Sequence, residues 1–329
     1  MDTVTDIVVR RAAPDDTPAV LDLLAASMGW VPDHEHAAFF AWKHEQNPAG
    51  VSPAWVAVDT AAGDRIVGYR TFLRWEFERE GTVLRAVRAV DTATHPAYQG
   101  QGIFSRLTLH ALDELRTEGV SAVFNTPNER SLPGYLKMGW REVGRLPVGV
   151  RPRGATATVR IARSRTAAEK WSISTSAGRS AAEVFADRAS VELLLAGAER
   201  PSGLRTRLTP EYLAWRFSFE PLHYRVIVGP PGVAGGLVVF RLRRRGESTE
   251  AAIELLIAPP ANARTVRRLA RAIAREAGAD YGLLVGRAWR DGFAVIPRMG
   301  PLLVWRPLSD ARVPTLRECD LTLADVELF

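Results

Sequence analysis

The chain has 329 residues, 47% hydrophobic and 24% charged, an ordinary mix for a folded protein of about two domains, which excludes a disordered or fibrous chain. Its apolar runs are short, about eight residues from Val233 to Phe240, against the ~20 needed to cross a bilayer. The formal net charge of +6 is uneven: residues 1–150 hold 15 Lys+Arg and 19 Asp+Glu, net −4, and residues 151–329 hold the remaining +10.

In chain order, Ile7 to Arg10 reads as a strand. Asp15 or Asp16 then caps a helix running to Met28, with Pro18 in its first turn and Leu21, Leu23 and Leu24 inside. A second helix is expected over Glu35 to Glu45. Trp55 to Val58, Ile66 to Trp75 and Val83 to Thr94 read as three strands joined by turns at residues 61–64 and 79–81. The spacing of Leu107, Leu109, Leu112 and Leu115 predicts a helix from Gly102 to Glu118, stopped by Gly119. A strand (Val120 to Asn125), a short helix (Ser131 to Met138) and a strand (Trp140 to Val148) follow.

From Gly149 to Ser180 the chain turns polar and rich in Arg, Thr, Ser and Ala, with Thr156 to Ile161 as a candidate strand. The second half then repeats the first in outline. Leu213-Ala214-Trp215-Arg216 echoes Phe40-Ala41-Trp42-Lys43. Strands at Tyr224 to Val228, Gly236 to Leu242 and Ile253 to Ile257 precede a helix at Thr265 to Ala277, and strands at Tyr281 to Val285 and Leu302 to Trp305 complete the series. Two tandem copies of one fold explain the pattern, and chance similarity between two α/β stretches is the alternative.

The stretch AVDTATHPAYQGQGIFSRLTLHAL carries the chemistry. Gly100 and Gly102 allow a sharp turn at a helix start, where unpaired N–H groups and the positive end of the helix dipole suit a pyrophosphate. An ordinary glycine-rich connection is the plain reading. The loop follows the third long strand and lacks a Lys-Ser/Thr pair, which fits neither a dinucleotide fingerprint nor a Walker loop. Tyr135 stands seven positions after Asn128, with six residues between them, and Gly139-Trp140 follows.

This arrangement resembles the GNAT superfamily of acyl-CoA-dependent N-acetyltransferases. The likeness rests on Gln99-Gly100-Gln101-Gly102, the Asn128 to Tyr135 spacing and the Tyr-Leu-Lys-Met-Gly-Trp stretch, and it covers residues 5–148 well and the second half in outline. Phe104 departs from it, standing where the family usually has Gly or Ala. The resemblance implies an α+β fold, a mixed, mostly antiparallel sheet flanked by helices and present twice in tandem. It places an acetyl-CoA-binding domain at residues 1–150, a linker at 151–180 and a degenerate copy at 181–329 that forms part of the acceptor pocket. It implies acetyl-CoA as co-substrate, held by Ala93, Thr94, Gln99, Gly100, Gln101, Gly102, Ile103, Phe104 and Asn128, with Tyr135 as general acid and Asp91 as first choice of base. Glu76, Glu78, Asp320 and Asp325 are weaker choices of base. The expected reaction moves an acetyl group to a primary amine of a small molecule, an amino sugar, antibiotic or other metabolite. A protein or peptide acetyltransferase and a non-catalytic CoA sensor are the alternatives.

In the second half Ala258-Pro259-Pro260-Ala261-Asn262-Ala263-Arg264 occupies the place of the phosphate loop. It has no glycine, and its prolines remove N–H donors, so this copy is not expected to hold CoA. The lone Cys319 excludes an internal disulfide, and no Cys/His spacing supports zinc. His34, His36 and His44 are expected on an exposed helix and read as no metal site. Arg241 to Arg245 reads as a solvated strand end. Of the 43 cations, 40 are arginines, a skew best explained by coding bias, so no nucleic-acid partner is expected. Nor is a membrane partner expected, the acidic start MDTVTDIVVRR points to a cytoplasmic protein, and monomer and homodimer stay open.

Overall fold

The computed structural model describes residues 6–29, 31, 33–154, 167–199, 202–286 and 291–327. The candidate strand at Thr156 to Ile161 lies outside the described residues. The chain divides into two compact units, Met1–Phe77 with Thr82–Val143 and Leu303–Val313, and Glu78–Gly81 with Gly144–Leu302 and Pro314–Phe329.

The first unit runs β1 (Ile7–Arg11), α1 (Thr17–Met28), α2 (His34–His44), β2 (Ala54–Asp59), β3 (Arg65–Arg79), β4 (Thr82–Thr94), α3 (Ile103–Thr117), β5 (Ala122–Asn125), α4 (Leu132–Lys137) and β6 (Arg141–Arg145). The second runs β7 (Val148–Pro152), β8 (Arg179–Ser180), α5 (Ala181–Ala186), α6 (Arg188–Gly197), β9 (Arg205–Thr206), α7 (Pro210–Arg216), β10 (Arg225–Val228), β11 (Leu237–Arg245), β12 (Ser248–Ile257), α8 (Ala263–Glu276), β13 (Tyr281–Val285) and β14 (Ala294–Ile296). The chain then contributes β15 (Leu302–Pro307) to the first sheet and α9 (Leu323–Val326) to the second unit.

One plan underlies both sheets. Their orders are β1-β2-β3-β4-β5-β15-β6 and β8-β10-β11-β12-β13-β7-β14. In each, the fourth and fifth strands are parallel and joined through a helix, as a parallel pair requires. The sixth position, antiparallel to the fifth strand, is filled from the far side of the other copy: β15 beside β5, and β7 beside β13. Two mixed, mostly antiparallel sheets flanked by helices in an α+β chain agree with the expected tandem.

That exchange changes the expected layout. The single strand expected over Trp140 to Val148 divides into β6 and β7, which lie in different sheets, and the strand expected to end the second copy lies in the first sheet. The physical reason is Trp305. It is 2% exposed, and its ring centroid lies 5.7 Å from Phe77 and 6.2 Å from Phe124, so its apolar area is buried only when β15 sits beside β5. The expected linker at 151–180 likewise carries structure: β7 ends within it, Ile173 bridges Leu242, and β8 closes it against β10.

In the first unit α3 lies directly over β3. A Cβ at Gly68 would come within 2.6 Å of Ile103 and 3.0 Å of Leu107, so only glycine allows the approach. In the second, Val266, Ala270 and Ile273 of α8 pack on Val238, Phe240 and Ile253. Arg241 and Arg243, expected to be solvated, are buried on β11. They pair with Glu254, Glu250 and Glu327, which offset the cost of burying cations.

Candidate functional site

The first unit's parallel strands pair only at Ala86 with Ala122, Val87 with Val123 and Arg88 with Phe124. Beyond Arg88, β4 runs on to Thr94 while β5 ends at Asn125, so the two part. Asp91 turns the strand there with φ +38°, a left-handed conformation rare for a non-glycine residue. Ala93 is buried, and the Thr94 carbonyl accepts the Ser27 hydroxyl at 3.1 Å.

At the open end of this parting lies the glycine loop. Gln99, Gly100, Gln101 and Gly102 are exposed. Gly100 has φ +79° and Gly102 +74°, and a Cβ on either would meet nothing within 4 Å, so the conformation rather than crowding calls for glycine. Gly102 is the N-cap of α3 and supplies no side chain, which leaves the first-turn amides of Ile103, Phe104 and Ser105 without a side-chain cap. Open space above the turn and uncapped amides along a 15-residue helix fit a diphosphate.

Phe104 does not block this cradle. Its ring stands edge-on to Tyr135, centroids 5.4 Å apart at 88°, and a Cβ at Gly134 would lie 3.1 Å from it. The missing side chain at Gly134 makes room for the bulk that the loop acquires.

Tyr135, on α4, is 5% exposed and also packs edge-on to Trp140. Its hydroxyl oxygen lies 2.9 Å from Nη1 of Arg70. A guanidinium only donates, so the phenol oxygen accepts this bond and its own proton remains to be donated elsewhere. The same Nη1 donates to the Thr92 hydroxyl, on the segment of β4 that has parted from β5. Arg70, Thr92, Phe104 and Tyr135 thus form one cluster beside the parting. The sequence reading missed Arg70. Its signal was an arginine between apolar residues in the middle of a long strand.

Asp91 is not brought to that cluster. Its Oδ2 accepts from Nζ of Lys43 and Nε2 of His44, both at 2.7 Å, and all three residues are buried. Burial alone would raise its pKa, but the Lys43 charge and the His44 hydrogen bond prevail and hold it well below the usual carboxylate range. Asp91, expected as base, is thus engaged as the anion of a buried cluster with Lys43 and His44. Burial lowers the pKa of His44 despite Asp91. The neutral ring donates from Nε2 and accepts the Ser52 hydroxyl at Nδ1, 3.0 Å away. Of the histidines on that helix, only His34 is exposed as expected, while His36 and His44 are buried at 8% and 3% exposure.

Asn128 accepts at Oδ1 from the backbone N–H groups of Arg130 and Ser131, at 3.1 and 2.9 Å. It shapes the turn into α4, and only its amide nitrogen is left over from these bonds. Glu76 is half-buried on β3. Glu78, Asp320 and Asp325 border a cavity of about 250 Å3 in the second unit, at the parting of β12 from β13. Asp325 caps α9 through Thr322, and burial raises its pKa. Among the described residues no group of three His, Cys, Asp or Glu is arranged to hold a metal, and no helix is long and apolar enough to cross a membrane.

Residues 8–143 match the family model of the acetyltransferase (GNAT) domain. No curated protein matches the chain. Among solved structures, a GCN5-related N-acetyltransferase from Anabaena variabilis ATCC 29413 superposes with a TM-score of 0.64 at 14% identity, over 92% of this chain and 73% of the other. A conserved protein of unknown function from Enterococcus faecalis V583, described as a probable N-acyltransferase, gives 0.63 at 13%, over 92% and 73%. A GCN5-related N-acetyltransferase from Kribbella flavida gives 0.62 at 17%, over 93% and 72%. At these identities the structural likeness shows the fold, two GNAT-like sheets in tandem, and residues 8–143 are the segment that matches the acetyltransferase (GNAT) domain.

Proposed function

We propose that the first unit transfers an acetyl group from acetyl-CoA to a primary amine of a small molecule. The observation that carries this reading is the parting of β4 from β5 with uncapped helix amides at one end and the Tyr135 hydroxyl beside it. The amides of residues 100–105 would hold the diphosphate, Asn128 would offer its amide nitrogen, and the strand from Asp91 to Thr94 would offer a backbone N–H to the thioester carbonyl. Acetyl-CoA supplies an activated acyl group on a thiolate leaving group. Tyr135 donates the proton that the departing sulfur needs, Arg70 stabilises the charge left on the phenol oxygen, and the proton that the attacking nitrogen sheds as the amide forms passes through water back to that oxygen.

Among the described residues no carboxylate joins the cluster of Arg70, Thr92, Phe104 and Tyr135, so the acceptor is read as reacting in its neutral form from solution. For an amine of pKa near 10, only about one molecule in a thousand is neutral at pH 7, a cost of ~4 kcal/mol. The acidic balance of the first half favours cationic acceptors. The second copy is read as holding no CoA, because Pro259 and Pro260 take the place of amide donors.

A thiol-release screen with acetyl-CoA against simple amines, amino sugars, aminoglycosides and peptides tests this. Release is expected with a small amine, with kcat/KM rising about tenfold per pH unit below the amine's pKa. Release with peptides alone would favour the protein-directed alternative. Tight CoA binding with no release would favour the sensor.

A further inference from the structure

Arg70 holds more than the phenol of Tyr135. It is 0% exposed, in the middle of β3, and among the described residues no carboxylate pairs with it. Only Nη1 is used, by Thr92 and Tyr135; Nε and Nη2 are buried and donate to no described group. Those two nitrogens are neighbours on one edge of the guanidinium plane, and their parallel N–H bonds match the two oxygens of a carboxylate. Aromatic rings surround the cation, Phe72 at 4.5 Å, Tyr135 at 5.4 Å and Phe104 at 5.6 Å from its central carbon. An apolar, water-poor setting of this kind strengthens a charge-assisted pair and makes an unmatched cation costly.

We propose that the Nε/Nη2 edge of Arg70 binds a carboxylate carried by one of the two substrates, next to the transfer centre. The proposal rests on reading the first unit as the acyl-transfer unit. Two sources share this chemistry, the far end of a dicarboxylic acyl group on CoA and the carboxylate of an amino-acid acceptor. The cation's nearness to Tyr135 ties recognition to transfer, because one guanidinium would hold the substrate by one edge and the proton donor by another nitrogen.

The test compares matched substrates on one protein. In the acyl arm, succinyl-CoA is compared with acetyl-CoA at a fixed uncharged-tail amine; in the acceptor arm, alanine is compared with alaninamide, each corrected for its neutral amine fraction. The expected result is a kcat/KM preference of about 10- to 100-fold for the carboxylate in one arm. It should collapse in Arg70→Met, return in part in Arg70→Lys, and persist in Tyr135→Phe, which is slower but keeps the Arg70 edge. No preference in either arm with the unaltered protein, or one that survives Arg70→Met, overturns the proposal. If no thiol is released at all, the transfer reading fails. The carboxylate site is then judged by calorimetry with the same pairs, where equal binding overturns it and a preference lost in Arg70→Met supports it.

Discussion

Tyr135 and Asp91 show how differently two polar residues near the same strand are employed. Tyr135 presents a hydroxyl whose oxygen is already engaged as an acceptor by Arg70, which leaves its proton for transfer. Asp91 faces Lys43 and His44 instead, and serves as the anion of a buried cluster. Asp91→Asn should therefore destabilise the first unit by about 3–5 kcal/mol, because it takes the carboxylate from a buried ammonium, whereas a joint change of Lys43 and Asp91 to apolar residues of similar volume should recover much of that loss in urea denaturation. The cluster also sets the response to acid. The native pKa of His44 is lowered, so as pH falls below about 6.5 the unfolded chain takes up a proton that the folded one refuses, and stability drops by up to about 1.4 kcal/mol per pH unit. Asp91, also lowered, adds to this loss below about pH 4. Thermal unfolding between pH 7.5 and 5 should show a falling Tm, and His44→Gln should flatten that part of the curve. Tyr135 was legible in the sequence because its spacing from Asn128 is a local pattern. The Asp91 partners were not, because Lys43 and His44 meet it across more than 40 positions of chain, a contact that only packing creates.

Among the elements, the turn into α3 matters most to the proposed chemistry. Gly100 and Gly102 lie at positive φ with open space above them, so Gly102→Ala introduces backbone strain of about 1–2 kcal/mol at the turn. The variant should raise the KM for acetyl-CoA several-fold in steady-state assays while the fold survives; unchanged kinetics would mean the amides of that turn are not the cradle. The helix and its glycine loop were legible because leucine periodicity and a glycine pair are both local signals. Room for Phe104 was not, since it depends on Gly134, thirty residues away, having no Cβ.

At the scale of the whole molecule, the repeat is deeper than the sequence outline showed. The two Ala-Trp-cation tetrapeptides place Lys43 on α2 and Arg216 on α7, and each cation is buried against a carboxylate on the strand that parts from its parallel neighbour, Asp91 on β4 and Glu254 on β12. The positions of the longer strands were legible to within a few residues, but the short β8, β9 and β14 were not expected and sheet membership was not legible. Which strand fills the place beside β5 is decided by where Trp305 is buried, and alternating hydrophobicity is the same in either sheet. A fragment of residues 1–150 should consequently fail to fold, because β5 would lose its neighbour and Phe77 and Phe124 would lose the Trp305 ring. Circular dichroism and proteolysis of that fragment check this. The most direct measurement on the molecule as a whole pairs acetyl-CoA affinity with the rate of thiol release for the unaltered protein and Tyr135→Phe. The expected result is affinity unchanged within about threefold and a rate lower by about 100-fold. An equal rate in both proteins, or no binding of acetyl-CoA to either, would contradict a transfer site built from the α3 amides and the Tyr135 phenol.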